Sequence, residues 1–173
     1  MGDESFLVAL YRQLGISYPK FFKMDEMSKL AFLGSEMVLL RAGLENYAND
    51  EVAFLFANQR SSLDTDIQFY ATLKEGIPSP ALFVYTLPNI GMGEVCIRHA
   101  QHGENNFLVM EQFDAKTLLQ SALPLLEQGA AKAVLIAWTE VTKDGTDGFF
   151  VFISRIEELQ LLTETLNGLY AAN

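Results

Sequence analysis

Apolar residues recur at helical spacing in some stretches of the chain and gather in short unbroken runs in others. FLVALYRQLG (6–15) reads as a short helix closed by Gly15. SYPKFF (17–22) reads as extended, because Pro19 keeps Tyr18 out of the α region. From Asp25, a good N-cap, Met27, Leu30, Ala31, Gly34, Met37 and Val38 share one helical face, and Gly43 is placed to close that helix. EVAFLFAN (51–58) does not alternate, which predicts a strand covered on both faces. Ser61 with Asp64 resembles a capping box, and Leu63, Ile67, Tyr70 and Ala71 mark the face of the helix behind it.

Pro78 and Pro80 interrupt that pattern. The segment PSPALFVYTLPN has two readings, a rigid surface loop with a buried Phe83 or a turn that frames a site, and local physics favours the first. Asn89 opens a helix through GMGEVCIRHA (91–100), and NFLVM (106–110) is a second short strand. The stretch 112–129 is helical, with Phe113, Ala115, Leu118, Leu119, Ala122, Leu125 and Leu126 on a broad apolar surface and a kink expected at Pro124. AKAVLIAWTEV (131–141) predicts a central strand, DGTDG (144–148) a turn, FFVFIS (149–154) its hairpin partner, and 156–173 a last helix. Strands alternating with helices predict an α/β layer fold, and the hairpin makes its sheet mixed. The pattern does not fix the strand order.

Length and composition narrow the picture. At 173 residues the chain reads as one domain, 1–173. It is 50% hydrophobic and 12% aromatic, too apolar for disorder, yet no apolar run approaches the ~20 residues of a membrane span. A net charge of −10 opposes binding to nucleic acid or to an anionic membrane surface. Met1 is followed by GDES, not by a basic and then an apolar segment, so the expectation is a cytoplasmic protein. Cys96 is the single cysteine; no internal disulfide and no Cys/His metal spacing is available to it.

Little in the sequence carries chemistry by itself. GMG (91–93) is not a phosphate loop, and no GxSxG is present. His99 and His102 are three apart but lack further ligands, so solvation at a helix end is the expected role; Cys96 reads as a buried, inert thiol. The informative segment runs from strand to turn to helix at NFLVM-EQ-FDAK. Such a turn commonly seats a nucleophile, because free N–H groups at the helix start lower a thiol pKa and hold an oxyanion. Here it carries Met110, Glu111, Gln112 and Phe113, and no Cys, Ser or Thr lies between Asn105 and Lys116. It is either a plain βα junction or an elbow without its nucleophile.

The order of segments resembles the N-terminal half of the β-ketoacyl-acyl-carrier-protein synthases. FKMDEMSKLAFLGSEMVL is similar to that family's first long helix. EVAFLFANQRSSLDTDIQFYATL, then SPALFVYTLPNIGMGEVCIRHAQHGENNFLV, are similar to the family's next strand, loop and helices, in the same order. The likeness covers roughly residues 20–141. It implies half of a thiolase-like fold, a mixed sheet with helices packed on it, without the usual glycine-rich first strand. It also places the family's nucleophilic cysteine at or near Gln112, with Glu111 and Phe113 as neighbours, so the position is degenerate. The family's second half, which supplies its histidines, has no counterpart.

The resemblance therefore implies a catalytically silent, chain-length-factor-like subunit in fatty-acid or polyketide-type acyl chain synthesis. Decarboxylative condensation needs a thiolate to hold the acyl group. The implied partners are a full-length ketosynthase, an acyl carrier protein, or a second copy of the chain through NFLVM; no cofactor and no metal is implied. Phe149, Phe150 and Phe152 are candidates for an exposed apolar face, and a plain core strand fits them as well. Two alternatives stand beside this reading. One is decarboxylation of malonyl-carrier protein, or condensation, completed by a partner, with Gln112 as amide donor; the other is a non-enzymatic binding or structural module that keeps only the fold.

Overall fold

The computed structural model describes residues 5–155 and 159–172. In chain order these form α1 (Phe6–Gln13), α2 (Glu26–Ala42), β1 (Val52–Asn58), α3 (Leu63–Lys74), α4 (Pro80–Val84), α5 (Ile90–Arg98), β2 (Asn105–Val109), α6 (Ala115–Glu127), β3 (Ala133–Thr142), β4 (Gly145–Ile153) and α7 (Leu159–Ala171). The four strands make one sheet in the order β2-β1-β3-β4. β1 is parallel to both β2 and β3, and β4 is antiparallel to β3. The expected α/β class and mixed sheet are both present. No helix among the described residues is long and apolar enough to cross a membrane.

The unbroken apolar run of β1 is explained by its cover. All seven residues are buried. Phe54 and Phe56 face Met92, Val95 and Leu39 of α5 and α2, whereas Leu55 and Ala57 face Leu118, Leu119 and Ala122 of α6. Burying a Phe or Leu side chain contributes about 1.5–3 kcal/mol, so a strand apolar on both faces has to sit between two helical layers. β3 is buried throughout Ala133–Glu140 for the same reason.

α2 starts where Asp25 accepts a hydrogen bond from Ser28 N and ends at Gly43, whose φ of 69° suits glycine. Gly34 lets Phe150 lie against the helix: a Cβ there would meet Phe150 Cε2 at 2.1 Å. Ahead of α2, the expected extended run over 17–22 is absent: Tyr18, at φ −148° and ψ 86°, keeps out of the α region, and a helical turn follows it at once. Pro19–Lys23 is a 3₁₀ turn whose Phe21 stacks on Tyr11. Glu94, 4% exposed on α5, ties this arm down by accepting from Tyr18 Oη and pairing with Lys20.

The structure corrects several sequence expectations. α6 begins at Ala115, not at 112, because Asp114 caps it by accepting from Lys116 N; the helix then runs on through Pro124. β4 begins inside the predicted turn, with Thr142 opposite Gly145, since the ladder continues to the end of β3. The Ser61–Asp64 box does not form. Ser62 is the residue before α3, and its hydroxyl donates to Asp66 and to Thr86 O. Phe149, Phe150 and Phe152 are half-buried against Phe113, Phe56 and Tyr47 and form no exposed face. The last helix is present over Leu159–Ala171; residues 156–158 and 173 of the predicted span lie outside the described residues.

Candidate functional site

In an open α/β sheet, ligands bind beyond the carboxyl ends of the strands, where loops from neighbouring strands leave on opposite faces. β1 and β2 meet that condition. The chain leaves β1 toward α3–α5, on the face of Phe54 and Phe56, whereas it leaves β2 toward α6, on the face of Leu55. The two loops are joined where Met110 N donates to Asn58 O at 2.8 Å.

The loop after β1 is tightly specified. Asn58, buried, donates from Nδ2 to Ser61 O and accepts from Ser61 N at Oδ1, so its amide closes the turn. Ser61 has a φ of 55°, uncommon for a residue with a side chain. The free N–H groups of Gln59 and Arg60 converge on Oε2 of Glu140, at 2.7 and 3.3 Å. Two adjacent amides of this kind form a concavity suited to an anion, and here the chain's own carboxylate fills it. Glu140 is 8% exposed, and its Oε1 has no hydrogen-bond partner.

The loop after β2 carries the residues singled out from the sequence. It is five residues long, Met110 to Asp114, so the turn into α6 is not sharp. Glu111 and Gln112 are exposed. Phe113 turns inward, stacks on Tyr170 at 3.9 Å and meets Trp138 and Phe149 edge-on. Asp114 is held below the usual carboxylate range, chiefly by the Thr117 hydroxyl that donates to it. Asp147 accepts from both Trp138 Nε1 and Tyr170 Oη, and burial together with that bond pushes the Tyr170 phenol up to about 12. Glu140 and Asp147 have no sequence signal of their own; the β3–β4 register pairs them.

The histidines lie at the other end. His99 and His102 precede β2 and Gln112 follows it, so the strand separates them by about 16 Å. His99 is not merely solvated: its Nε2 sits 2.6 Å from Glu36 Oε1. His102 is exposed. Among the described residues no group of three or more His, Cys, Asp or Glu is placed to hold a metal ion.

Cys96, on α5, is partly buried, and burial pushes its thiol up to about 11 from an ordinary 9.0. The folded state holds this proton more tightly than the unfolded chain. The resulting contribution to stability is fully present below pH 9 and is lost as pH rises through about 11. At pH 8, iodoacetamide should label native Cys96 far more slowly than the denatured chain. Equal rates, measured by mass spectrometry, would contradict the burial.

One surface departs from expectation. The α3 face predicted from Leu63, Ile67 and Tyr70 is not in the core; Thr65 is the one buried residue of α3. Ile67, Tyr70, Leu73, Ile77, Phe83 and Leu87 are each about half exposed or more. Phe83 is not buried in a loop. It lies on α4, capped by Ser79, and meets Phe69 of α3 at 5.3 Å. Apolar patches of this kind mark interaction sites.

No family model and no curated protein matches the sequence. Solved structures share its fold. A chain of the ishigamide ketosynthase/chain length factor superposes with a TM-score of 0.64 and 24% identity, over 82% of this chain. The present chain spans 39% of that one. A chain of the ketosynthase ApeO in complex with its chain length factor ApeC, from Xenorhabdus doucetiae, gives a TM-score of 0.61 and 16% identity, over 91% of this chain and 73% of its own. The fold is thus the α/β fold of these chains, with this chain spanning only part of their length, as the order of segments implied.

Proposed function

We propose that the chain acts as a non-catalytic, chain-length-factor-like subunit that pairs with a ketosynthase in polyketide-type or fatty-acid-type acyl chain synthesis. The observation that carries this reading is the β2–α6 loop. The carbon chain of a growing acyl group needs a thiolate, and the loop offers Gln112, exposed, with no Cys, Ser or Thr from Met110 to Asp114. The oxyanion role is also taken up, because Glu140 occupies the amides of Gln59 and Arg60. The solved neighbours are ketosynthase and chain length factor assemblies. The apolar surface of α3 and α4 supplies an interface for the partner. An acyl carrier protein serves the partner's reaction.

Co-expression with a full-length ketosynthase encoded nearby is the direct test. A stable heteromeric complex on size exclusion, with condensation that depends on the ketosynthase cysteine alone, is the expected result. A chain that remains monomeric in the presence of every such candidate would overturn the reading.

Restoring the thiol should not restore chemistry. Gln112→Cys is expected to react with iodoacetamide, since the position is exposed, yet to show no condensation in isolation. Neither imidazole reaches that end of the sheet, so no histidine is there to take up the proton of the thiol. Product from the variant alone, followed by radiolabelled malonyl incorporation, would refute this role for the loop.

A further inference from the structure

Residues 63–84, which hold α3 and α4, leave the body of the protein and return to it at almost the same point. The Ser62 hydroxyl donates to Thr86 O at 2.9 Å, so the two ends of the segment meet. Both ends are fixed. Before the segment, Asn58 closes the turn at Ser61, and Glu140 holds the amides of Gln59 and Arg60. After it, Tyr85 is buried in the cluster of Phe21, Phe32 and Leu33.

Between those ends Thr65 alone is buried, and the apolar clusters of the core contain no residue of 63–84 among the described residues. Thr65 is held by its hydroxyl. Its Oγ1 donates to Asp25 Oδ2 at 2.5 Å, while Asp25 Oδ1 caps α2. Further contacts lie within the segment itself: Phe69 meets Phe83, and Ser79 N donates to the Thr72 hydroxyl. We infer that residues 63–84 form a flap that swings on its two fixed ends, that the Thr65–Asp25 hydrogen bond latches it to the body, and that partner binding holds it shut. The last part rests on the function proposed above; the latch does not.

The energetics follow from what the flap fails to bury. A helix of about 12 residues is marginal in water, and most helical stability in proteins comes from packing an apolar face. α3 has 12 residues and turns Leu63, Ile67, Tyr70 and Leu73 outward. Segments with few buried apolar contacts open at a small part of the global unfolding free energy. A hydrogen bond to a charged group is among the stronger polar ties, so the Thr65 hydroxyl weighs heavily in that small balance. The exposed apolar patch continues past the flap to Leu87. A partner seated across it touches flap and body together, and so favours the closed position by its differential affinity.

The test is native-state hydrogen exchange, and the chain alone decides the flap. Amides of α3 are expected to exchange through an opening at least about 100-fold more frequent than that of β1 and β3. Thr65→Val should raise exchange in α3 about tenfold and leave β1 and β3 unchanged, whereas Thr65→Ser, which keeps the hydroxyl, should exchange like the parent. Thr117→Val is the control: its hydroxyl donates to Asp114 at 2.5 Å, outside the flap, and its loss should leave α3 unchanged. Exchange of α3 at the rate of β1, no change in Thr65→Val, or a rise spread evenly over the sheet would each overturn the latch. With a ketosynthase bound, exchange in α3 should fall at least about tenfold. A complex that leaves α3 exchange unchanged would overturn the partner's hold on the flap; the absence of any complex would instead overturn the proposed function.

Discussion

Gly103→Ala should destabilise the protein by about 2–3 kcal/mol, or roughly 5–10 °C in the thermal midpoint for a chain of this size. Gly103 lies in the turn that delivers the chain from α5 into β2. A Cβ there would sit 2.3 Å from Val52 O, 3.1 Å from Val52 C and 3.2 Å from Asp50 O. These are main-chain atoms at the start of β1, and no rotamer change relieves such a contact. The neighbouring ladder would have to open where Phe54 N donates to Glu104 O and His102 N to Asn49 O. Gly93→Ala provides the contrast. It lies inside α5 with nothing within 4 Å of the added carbon, so the same chemical change should stabilise by about 0.5–1 kcal/mol. Denaturant melts of the two variants read both signs, and equal stability of Gly103→Ala and the parent would contradict the close approach of this turn to β1.

That pair of glycines also shows what the sequence could convey. Strands covered on both faces were legible because burial on two sides demands an unbroken apolar run, as in VAFLFAN and AVLIAW. The α2 caps at Asp25 and Gly43 were legible because their chemistry is local. Features that depend on contacts distant in sequence were not. The Glu140 carboxylate reaches amides some 80 positions away, and the His99–Glu36 contact spans 63. The pattern starts α6 three residues early because Phe113 continues its apolar period, whereas Asp114 takes the cap and Phe113 is drawn into the ring cluster with Tyr170. Gln112 could be picked out as lacking a nucleophile, but not as exposed.

The α3 face was misread for a related reason, and it yields the second large effect. Helical periodicity at Leu63, Ile67 and Tyr70 announces an apolar face without saying what covers it. In this structure the described chain covers it only in part: Ile67 is 58% exposed and Phe83 61%. If the face receives a ketosynthase, the double variant Ile67→Asp, Phe83→Asp should lower affinity for that partner by about 100-fold or more. Two buried anchors replaced by charge cost at least about 3 kcal/mol at an interface. The variant's own stability should change little, because substitutions at exposed sites usually stay within about 0.5 kcal/mol. The loss should appear in the dissociation rate, measured by biolayer interferometry, since truncated anchors act mainly there. A control change on α2, Leu40→Asp, removes a still more exposed apolar side chain, 84% exposed, from another surface and should leave the complex intact. Loss of binding confined to the α3–α4 pair would locate the contact; equal effects from both variants would reduce the patch to general stickiness.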